Sequence, residues 1–232
     1  MVPNLLIAGD PHGDFSEIHQ AWKDHPHTPT LFAGDQGCLT PFPEIIQHRA
    51  DTYFIDGNHD GDKKIYWDNL HADPNRDING RIITIENMRV AGLGGVFRGK
   101  VWAPTSDQLS DVPTFTDAEW ASEHGHKSIH NIPIKHRVSI WPETIRALAQ
   151  QQADILLCHE APTPHEHGWG IILALAKDMG VHTIIHGHHH IDYRRTYNGI
   201  NIHGVGIGGV QDLYGHIIIP GRYSPERAVP RA

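Results

Sequence analysis

Five short apolar runs in this chain stop abruptly at residues able to bind a cation or move a proton. Leu5-Leu6-Ile7-Ala8 ends in Gly9-Asp10-Pro11-His12-Gly13, and Thr30-Leu31-Phe32-Ala33 ends in Gly34-Asp35. Tyr53-Phe54-Ile55 ends in Asp56-Gly57-Asn58-His59-Asp60. Ile155-Leu156-Leu157-Cys158 ends in His159-Glu160, and Thr183-Ile184-Ile185 in His186-Gly187-His188-His189-His190. Mixed oxygen and imidazole donors suit Mn, Fe, Zn or Ni ions, and a two-oxygen carboxylate on a sharp turn can bridge two of them. Taken singly, Asp10, Asp35 and Asn58 are ordinary turn residues; only their joint recurrence asks for chemistry. The last block is ambiguous in register, because His186, His188 and His190 would share one face of a strand. Gly187 favours the pair His188 and His190, since a glycine lets the backbone approach an ion closely.

The elements that must position these residues follow from the same runs. Short, continuous apolar stretches indicate strands buried on both faces. Helices are expected between them: Phe15, Ile18 and Trp22 share a helical face, Pro142 can open a helix turning Ile145, Leu148 and Ala149 inward, and a third runs from about Trp169 to Asp178 and stops at Gly180. Strand–loop–helix alternation means an α/β protein, in which ligands bind beyond the carboxyl ends of the strands. Two hairpins make the sheet mixed, one over Arg81 to Gly95 with Glu86-Asn87 at its turn, the other over Tyr193 to Val210 around Asn198-Gly199. A chain of 232 residues is expected to form one domain, 1–232. Its Pro-, His- and Trp-rich segment at about 97–141 reads as an insertion over the active face.

Composition narrows the function classes. There are 21 histidines against 19 lysines and arginines, which prompts a search for metal sites. A formal charge of −8 at pH 7 argues against a general nucleic-acid binder. No stretch is long and apolar enough to cross a bilayer. The apolar start lacks a basic leader and runs directly into Asp10, so it reads as a strand and the expected location is cytoplasmic. Cys38 and Cys158 cannot make a disulfide framework and are expected to be buried thiols.

In order and spacing, Gly9-Asp10-Pro11-His12, Gly34-Asp35, Gly57-Asn58-His59-Asp60, His159 and Gly187-His188-His189-His190 resemble the signature of the calcineurin-like metallophosphoesterases. The resemblance implies two mixed β-sheets packed face to face and flanked by helices, and a hydrolase of phosphate ester bonds. It implies that Asp10, His12 and His190 hold one metal, Asn58, His159 and His188 the other, and that Asp35 bridges them. Such ions lie about 3.5–4 Å apart and lower the pKa of a bridging water towards about 7, giving a hydroxide that attacks phosphorus in line. Manganese is the ion favoured for activity. His59 is implied to protonate the leaving group. The chain departs from the phosphoprotein phosphatase branch, which has an acid and then Arg after the bridging Asp, where Cys38 and Leu39 stand here. That branch also has Glu in place of Asp60. The residue that orients His59 and an arginine phosphate clamp are thus missing from their usual places.

Arg98, after the glycine-rich turn Gly92-Leu93-Gly94-Gly95, is the best substitute clamp. His165 and His167 are further substrate candidates, Glu160 is expected to face away, and Trp102, Trp120 and Trp141 to pin the insertion. The leading expectation is a phosphomonoesterase or phosphodiesterase acting on small phosphorylated molecules, nucleotides among them. A nuclease would want a basic groove, and dinucleoside-polyphosphate hydrolases usually carry the arginine missing after Asp35. A non-catalytic scaffold of the same fold would lack several of the ligand residues, which are all present here.

Overall fold

The computed structural model describes residues 4–223; the first three residues of the apolar start lie outside them. Strand β1 (Leu6–Ala8) leads into helix α1 (Ser16–Asp24), β2 (Thr30–Phe32) into the short α2 (Phe42–Ile45), and β3 (Thr52–Phe54) into α3 (Lys64–Leu70). A hairpin of β4 (Ile82–Ile85) and β5 (Met88–Leu93) follows, then a long segment carrying α4 (Asp117–Glu123) and α5 (Ile134–Arg137). Helix α6 (Pro142–Ala149) precedes β6 (Ile155–Cys158), and α7 (Gly170–Asp178) precedes β7 (Thr183–His186). Two more hairpins complete the described chain, β8 (Tyr193–Tyr197) with β9 (Ile200–Gly204), and β10 (Val210–Asp212) with β11 (Ile217–Ile219).

The strands make two sheets, ordered β11-β10-β1-β2-β3 and β4-β5-β6-β7-β9-β8. Both are mixed. In the first, β1, β2 and β3 are parallel and β10 runs against β1. In the second, β5, β6, β7 and β9 are parallel, with β4 and β8 as antiparallel edges. Between the sheets, Leu5, Ile7 and Leu31 meet Ile155, Leu157 and Ile185. On the outer faces Phe32 and Phe54 pack with Ile18 and Trp22 of α1, while Leu156 and Ile184 pack with Leu148 of α6 and Leu175 of α7. Cover on both faces is why these strands read as unbroken apolar runs.

The expected helices form with their apolar faces inward, and Trp22 also donates its indole N–H to Thr30 Oγ1 at 2.9 Å. Gly180, at φ +71°, follows α7 in the left-handed region. Both hairpin turns take positive φ at their two central residues, Glu86 and Asn87 at 48° and 62°, Asn198 and Gly199 at 50° and 80°, which matches the right-handed twist of the strands they join. The second hairpin is shorter than expected: it ends at Gly204, and Val210 already belongs to β10 in the other sheet.

The segment 97–141 has more regular structure than its composition suggests. Helix α4 opens on a capping box, Thr116 with Glu119. Val96 pairs with Val138 and Ile140 by backbone hydrogen bonds of 3.1 and 3.0 Å, closing the base of the segment. Trp120 and Trp141 pack edge to face at 5.7 Å over Val101 and Ile132, and Trp102 meets Phe97 at 5.2 Å. Among the described residues no helix is long and apolar enough to cross a membrane. Leu157 is fully buried between the sheets, so Leu157→Ala should cost about 2–5 kcal/mol in urea unfolding.

Candidate metal centre

β1, β2 and β3 of one sheet and β6 and β7 of the other finish at a common edge, and each hands over to one of the polar blocks. The turns are sharp. Asp10, His12, Asp35, His188 and His190 all have left-handed backbones, with φ of 34°, 50°, 54°, 68° and 60°, a conformation rare for residues other than glycine and concentrated at functional sites. His188 and His190 therefore reach the site through two left-handed residues and not through the pleat of a strand. His186 stays in β7: its Nδ1 donates to Gly187 O at 2.8 Å and its Nε2 lies 2.6 Å from the Tyr193 hydroxyl.

The carboxylate of Asp35 is central. Its Oδ2 lies 3.8 Å from His12 Nε2 and 3.5 Å from His159 Nε2. His190 Nε2 lies 3.2 Å from His12 Nε2 and 3.4 Å from Asp10 Oδ2. Asn58 Oδ1 is 3.1 Å from His159 Nε2, and the His188 ring is 4.9 Å from that of His159. Two donor triads result, His12–Asp35–His190 and Asp35–His159–His188, which share Asp35.

These residues fit a pair of cations. Asp10 and Asp35 are 0% and 1% exposed. Asp10 Oδ2 accepts the His188 N–H and Asp35 Oδ1 the His59 N–H, both at 2.7 Å, leaving Asp10 Oδ1 and Asp35 Oδ2 buried with no hydrogen-bond partner. His159 Nδ1 donates to Ala33 O at 2.8 Å, so Nε2 faces Asp35 and Asn58, the arrangement that prepares a histidine for a metal. Burial and the neighbouring charges act against one another here. Burial, reinforced by Asp35, lifts the Asp10 carboxyl to about 8. Burial pulls His159 down, but Asp35 and Asp10 outweigh it and hold the imidazole up at about 10. Burial, with His159 beside it, depresses His188 to about 4. Divalent ions would remove all three conflicts by placing positive charge between the donors.

The blocks interlock through missing side chains. A Cβ on Gly57 would strike the Asp35 carboxylate, and one on Gly187 would strike Asp10 Oδ1. Gly187 thus makes room for a carboxylate and not only for an ion. Asp60, fully buried, accepts the Gly37 N–H at 3.0 Å and the Gly57 N–H at 2.8 Å, joining the second and third blocks.

His59 sits on a 3₁₀ turn, His59–Gly61, half exposed, with its ring 5.2 Å from that of His12. Its Nδ1 lies 2.6 Å from Asp62 Oδ2. Asp62 escaped the sequence reading, which looked for an orienting acid after Asp35; the signal was the spacing His-x-x-Asp that runs from His59 two residues past the end of the third block. Arg98 is half-buried and near the carboxylates of Asp62, Glu160 and Asp35. Its Nε is buried without a hydrogen-bond partner. Its backbone is fixed by hydrogen bonds of 3.1 and 2.7 Å to Trp102. Glu160 does not face away as expected: its Oε1 accepts the Phe97 N–H at 3.1 Å and its Oε2 lies 3.9 Å from His188 Nε2. His165 and His167 gather around His189, at ring distances of 4.0 and 5.8 Å, outside both donor triads. Both cysteines are buried free thiols.

A two-sheet α/β sandwich with oxygen and imidazole donors gathered at its carboxyl edge is the architecture of the metallophosphoesterases. The sequence profile of the calcineurin-like phosphoesterases matches residues 3–192, and the chain belongs to that family, whose reaction is hydrolysis of phosphate esters. An uncharacterized protein of Haemophilus influenzae is 35% identical over 222 residues, covering 93% of this chain and 96% of its own length. Among solved structures, a Thermus thermophilus protein superposes with a TM-score of 0.61 at 13% identity, covering 95% of this chain and 99% of that one. Phosphopantetheinyl hydrolase of Mycobacterium tuberculosis gives 0.51 at 16% identity, covering 89% and 90%. At those identities the likeness is one of fold. The interlock makes a direct prediction: Gly187→Ala, whose Cβ would meet chiefly the Asp10 carboxylate, should remain folded by circular dichroism yet retain less metal than the parent protein after identical loading, read by inductively coupled plasma mass spectrometry.

Proposed function

We propose that this chain hydrolyses phosphomonoesters or phosphodiesters of small molecules, nucleotides among them, with two divalent ions held by Asp10, His12, Asp35, Asn58, His159, His188 and His190. The observation that carries this reading is the buried Asp35 carboxylate shared by two donor triads, with an oxygen that has no hydrogen-bond partner among the described residues. Manganese, iron, zinc or nickel suits the donor set, and manganese is the first to assay. When bound, such ions acidify a coordinated water and neutralise charge on the phosphoryl oxygens.

The remaining work falls to the chain's own side chains. Asp62 holds Nδ1 of His59 and thereby frees Nε2 to give a proton to the leaving-group oxygen. Arg98 presents a guanidinium that no ion pair occupies among the described residues. Its planar fork matches the non-bridging oxygens of a phosphate. A small substrate agrees with the net charge of −8, which would repel a polyanion.

Metal-loaded protein should hydrolyse an aryl phosphate monoester or diester, and Asp35→Asn should fall to the uncatalysed background. Activity equal to the parent in that variant would refute the reading. His59→Ala should lower kcat by about 10²–10⁴-fold with metal content unchanged; loss of metal would make His59 a ligand instead. Asp62→Asn should lower kcat about 10-fold or more while KM and metal content hold, and Asp62→Glu should restore part of the loss. A change in KM alone would give Asp62 a different task.

A further inference from the structure

A second group of donors stands apart from the two triads and takes no part in the reaction described above. Asp56 follows β3, His71 caps the end of α3, and Asp77 precedes β4. His71 Nε2 lies 3.2 Å from Asp56 Oδ1 and 3.8 Å from Asp77 Oδ2. Asp56 is 2% exposed. Its Oδ1 and the Nε2 of His71 are both buried without a hydrogen-bond partner. The two atoms attract by charge, but their arrangement lacks the direction of an N–H···O bond. The same signature, a buried carboxylate oxygen left orphaned in front of an imidazole nitrogen, marks Asp35 Oδ2 in the paired triads.

The orientation of His71 sharpens the point. Its Nδ1 donates to Trp67 O at 2.9 Å and its ring stacks on Trp67 at 3.9 Å. The ring is therefore held with Nε2 towards two carboxylates. Burial pulls the imidazole down, but Asp56 outweighs it and holds His71 up at about 9, so with no ion present a proton supplies the positive charge that a cation would bring. Metal-binding histidines are oriented in this way, by the opposite ring nitrogen donating to a backbone carbonyl. The spacings also fit. Ligand atoms about 2.1 Å from a tetrahedral ion stand about 3.4 Å apart, between the two distances observed. Asp77 Oδ1 is held by the Asn79 N–H at 2.8 Å, which leaves Oδ2 for the cluster. The side chains of His71 and Asp77 are 16% and 25% exposed, so an ion and its water could enter from that side.

We propose that Asp56, His71 and Asp77 bind a third divalent cation of the zinc, nickel or manganese class, structural in role and distinct from the catalytic pair. It ties together three segments that already touch, through the backbone bond from Ile78 N to Phe54 O at 3.0 Å, the Phe54 and His71 rings at 5.5 Å and the Arg76 guanidinium on the carbonyl of Thr52. The ion would brace the chain at Asp56, two residues before Asn58.

The test is a metal count on full-length protein stripped with chelator, reloaded with Mn²⁺ or Zn²⁺ and freed of excess ion. The parent should hold three ions per chain. His71→Gln and Asp77→Asn should each hold two, with kcat on an aryl phosphate within about twofold of the parent. Asp77→Asn lies on the exposed side of the cluster, so it serves if His71→Gln fails to fold. Asp35→Asn reports on the other centre and should keep the His71-dependent ion. A count of two in the parent, unchanged in both His71→Gln and Asp77→Asn, would overturn the third site while leaving the catalytic centre intact. A count that falls with His71→Gln but not with Asp35→Asn would uphold the third site and overturn the catalytic reading instead.

Discussion

The structure depends on holding two carboxylates, Asp10 and Asp35, buried beneath the site. Removing an ionised carboxylate from solvent costs several kcal/mol unless opposite charge stands beside it. The chain meets half of that demand itself. Each carboxylate keeps one oxygen on a backbone N–H, from His188 for Asp10 and from His59 for Asp35, and leaves the other buried without a hydrogen-bond partner among the described residues. The two meet the imidazoles differently: the free oxygen of Asp35 lies between His12 and His159, whereas Asp10 turns its bonded Oδ2 to His190 and its free Oδ1 to His159 Nδ1, 3.9 Å away. The left-handed backbones at Asp10 and Asp35 follow, since the turn must bring the side chain back over the strand end that produced it.

Two sheets are needed to do this. Each donor triad draws on both: His12 and Asp35 come from the first sheet and His190 from the second, while Asp35 from the first meets His159 and His188 from the second. The relative position of the sheets is thus coupled to ligand geometry. The apolar contact of Leu31 and Ile7 with Leu157 and Ile185 sets that position from within. The glycines at the rim set it at the site, because Gly57 lets Asp35 lie against the third block and Gly187 lets Asp10 lie against the fifth. A close-packed core transmits such constraints with little give.

How much of this was legible in the sequence varied with how local the signal was. The five strand ends, α1, α6 and α7 and both turn positions were readable, because a buried strand, an amphipathic face and an Asn-Gly turn each leave their mark within about ten residues. The structure brings His188 and His190 towards Asp35 and keeps His186 in β7, the split that Gly187 suggested, although the glycine also makes room for the Asp10 carboxylate. What was not legible depended on contacts made at a distance. Glu160 next to a ligand was expected to point away, by strand alternation; instead the chain leaves β6 there and Glu160 takes the Phe97 N–H, 63 residues away in sequence. The cluster of Asp56, His71 and Asp77 has no sequence spacing to recognise, since α3 and two 3₁₀ turns separate its members. Val210 looked like the continuation of a hairpin because nothing in residues 205–209 announces a crossing from one sheet to the other.

Cys38 shows how a departure from a family pattern can be compensated. The position after Asp35 where an acid was sought is occupied by a buried thiol that packs with Phe42 and Phe32 in the outer core of the first sheet. An acid there would be unpaired in an apolar setting, so it could not have been kept without a partner. The acid stands instead at Asp62, three residues after His59, where the 3₁₀ turn brings residues three apart onto one side. The new position is tied to a different part of the molecule. Gly61, between the two, lies against the backbone of Ile134 and Lys135 in α5, with no room for a side chain. The turn that aims His59 is therefore backed by the segment 97–141, which also carries Arg98 to the neighbourhood of Asp62. Imidazole, its orienting carboxylate and the guanidinium beside them are set by one packed unit, so a change in that segment would move all three groups together.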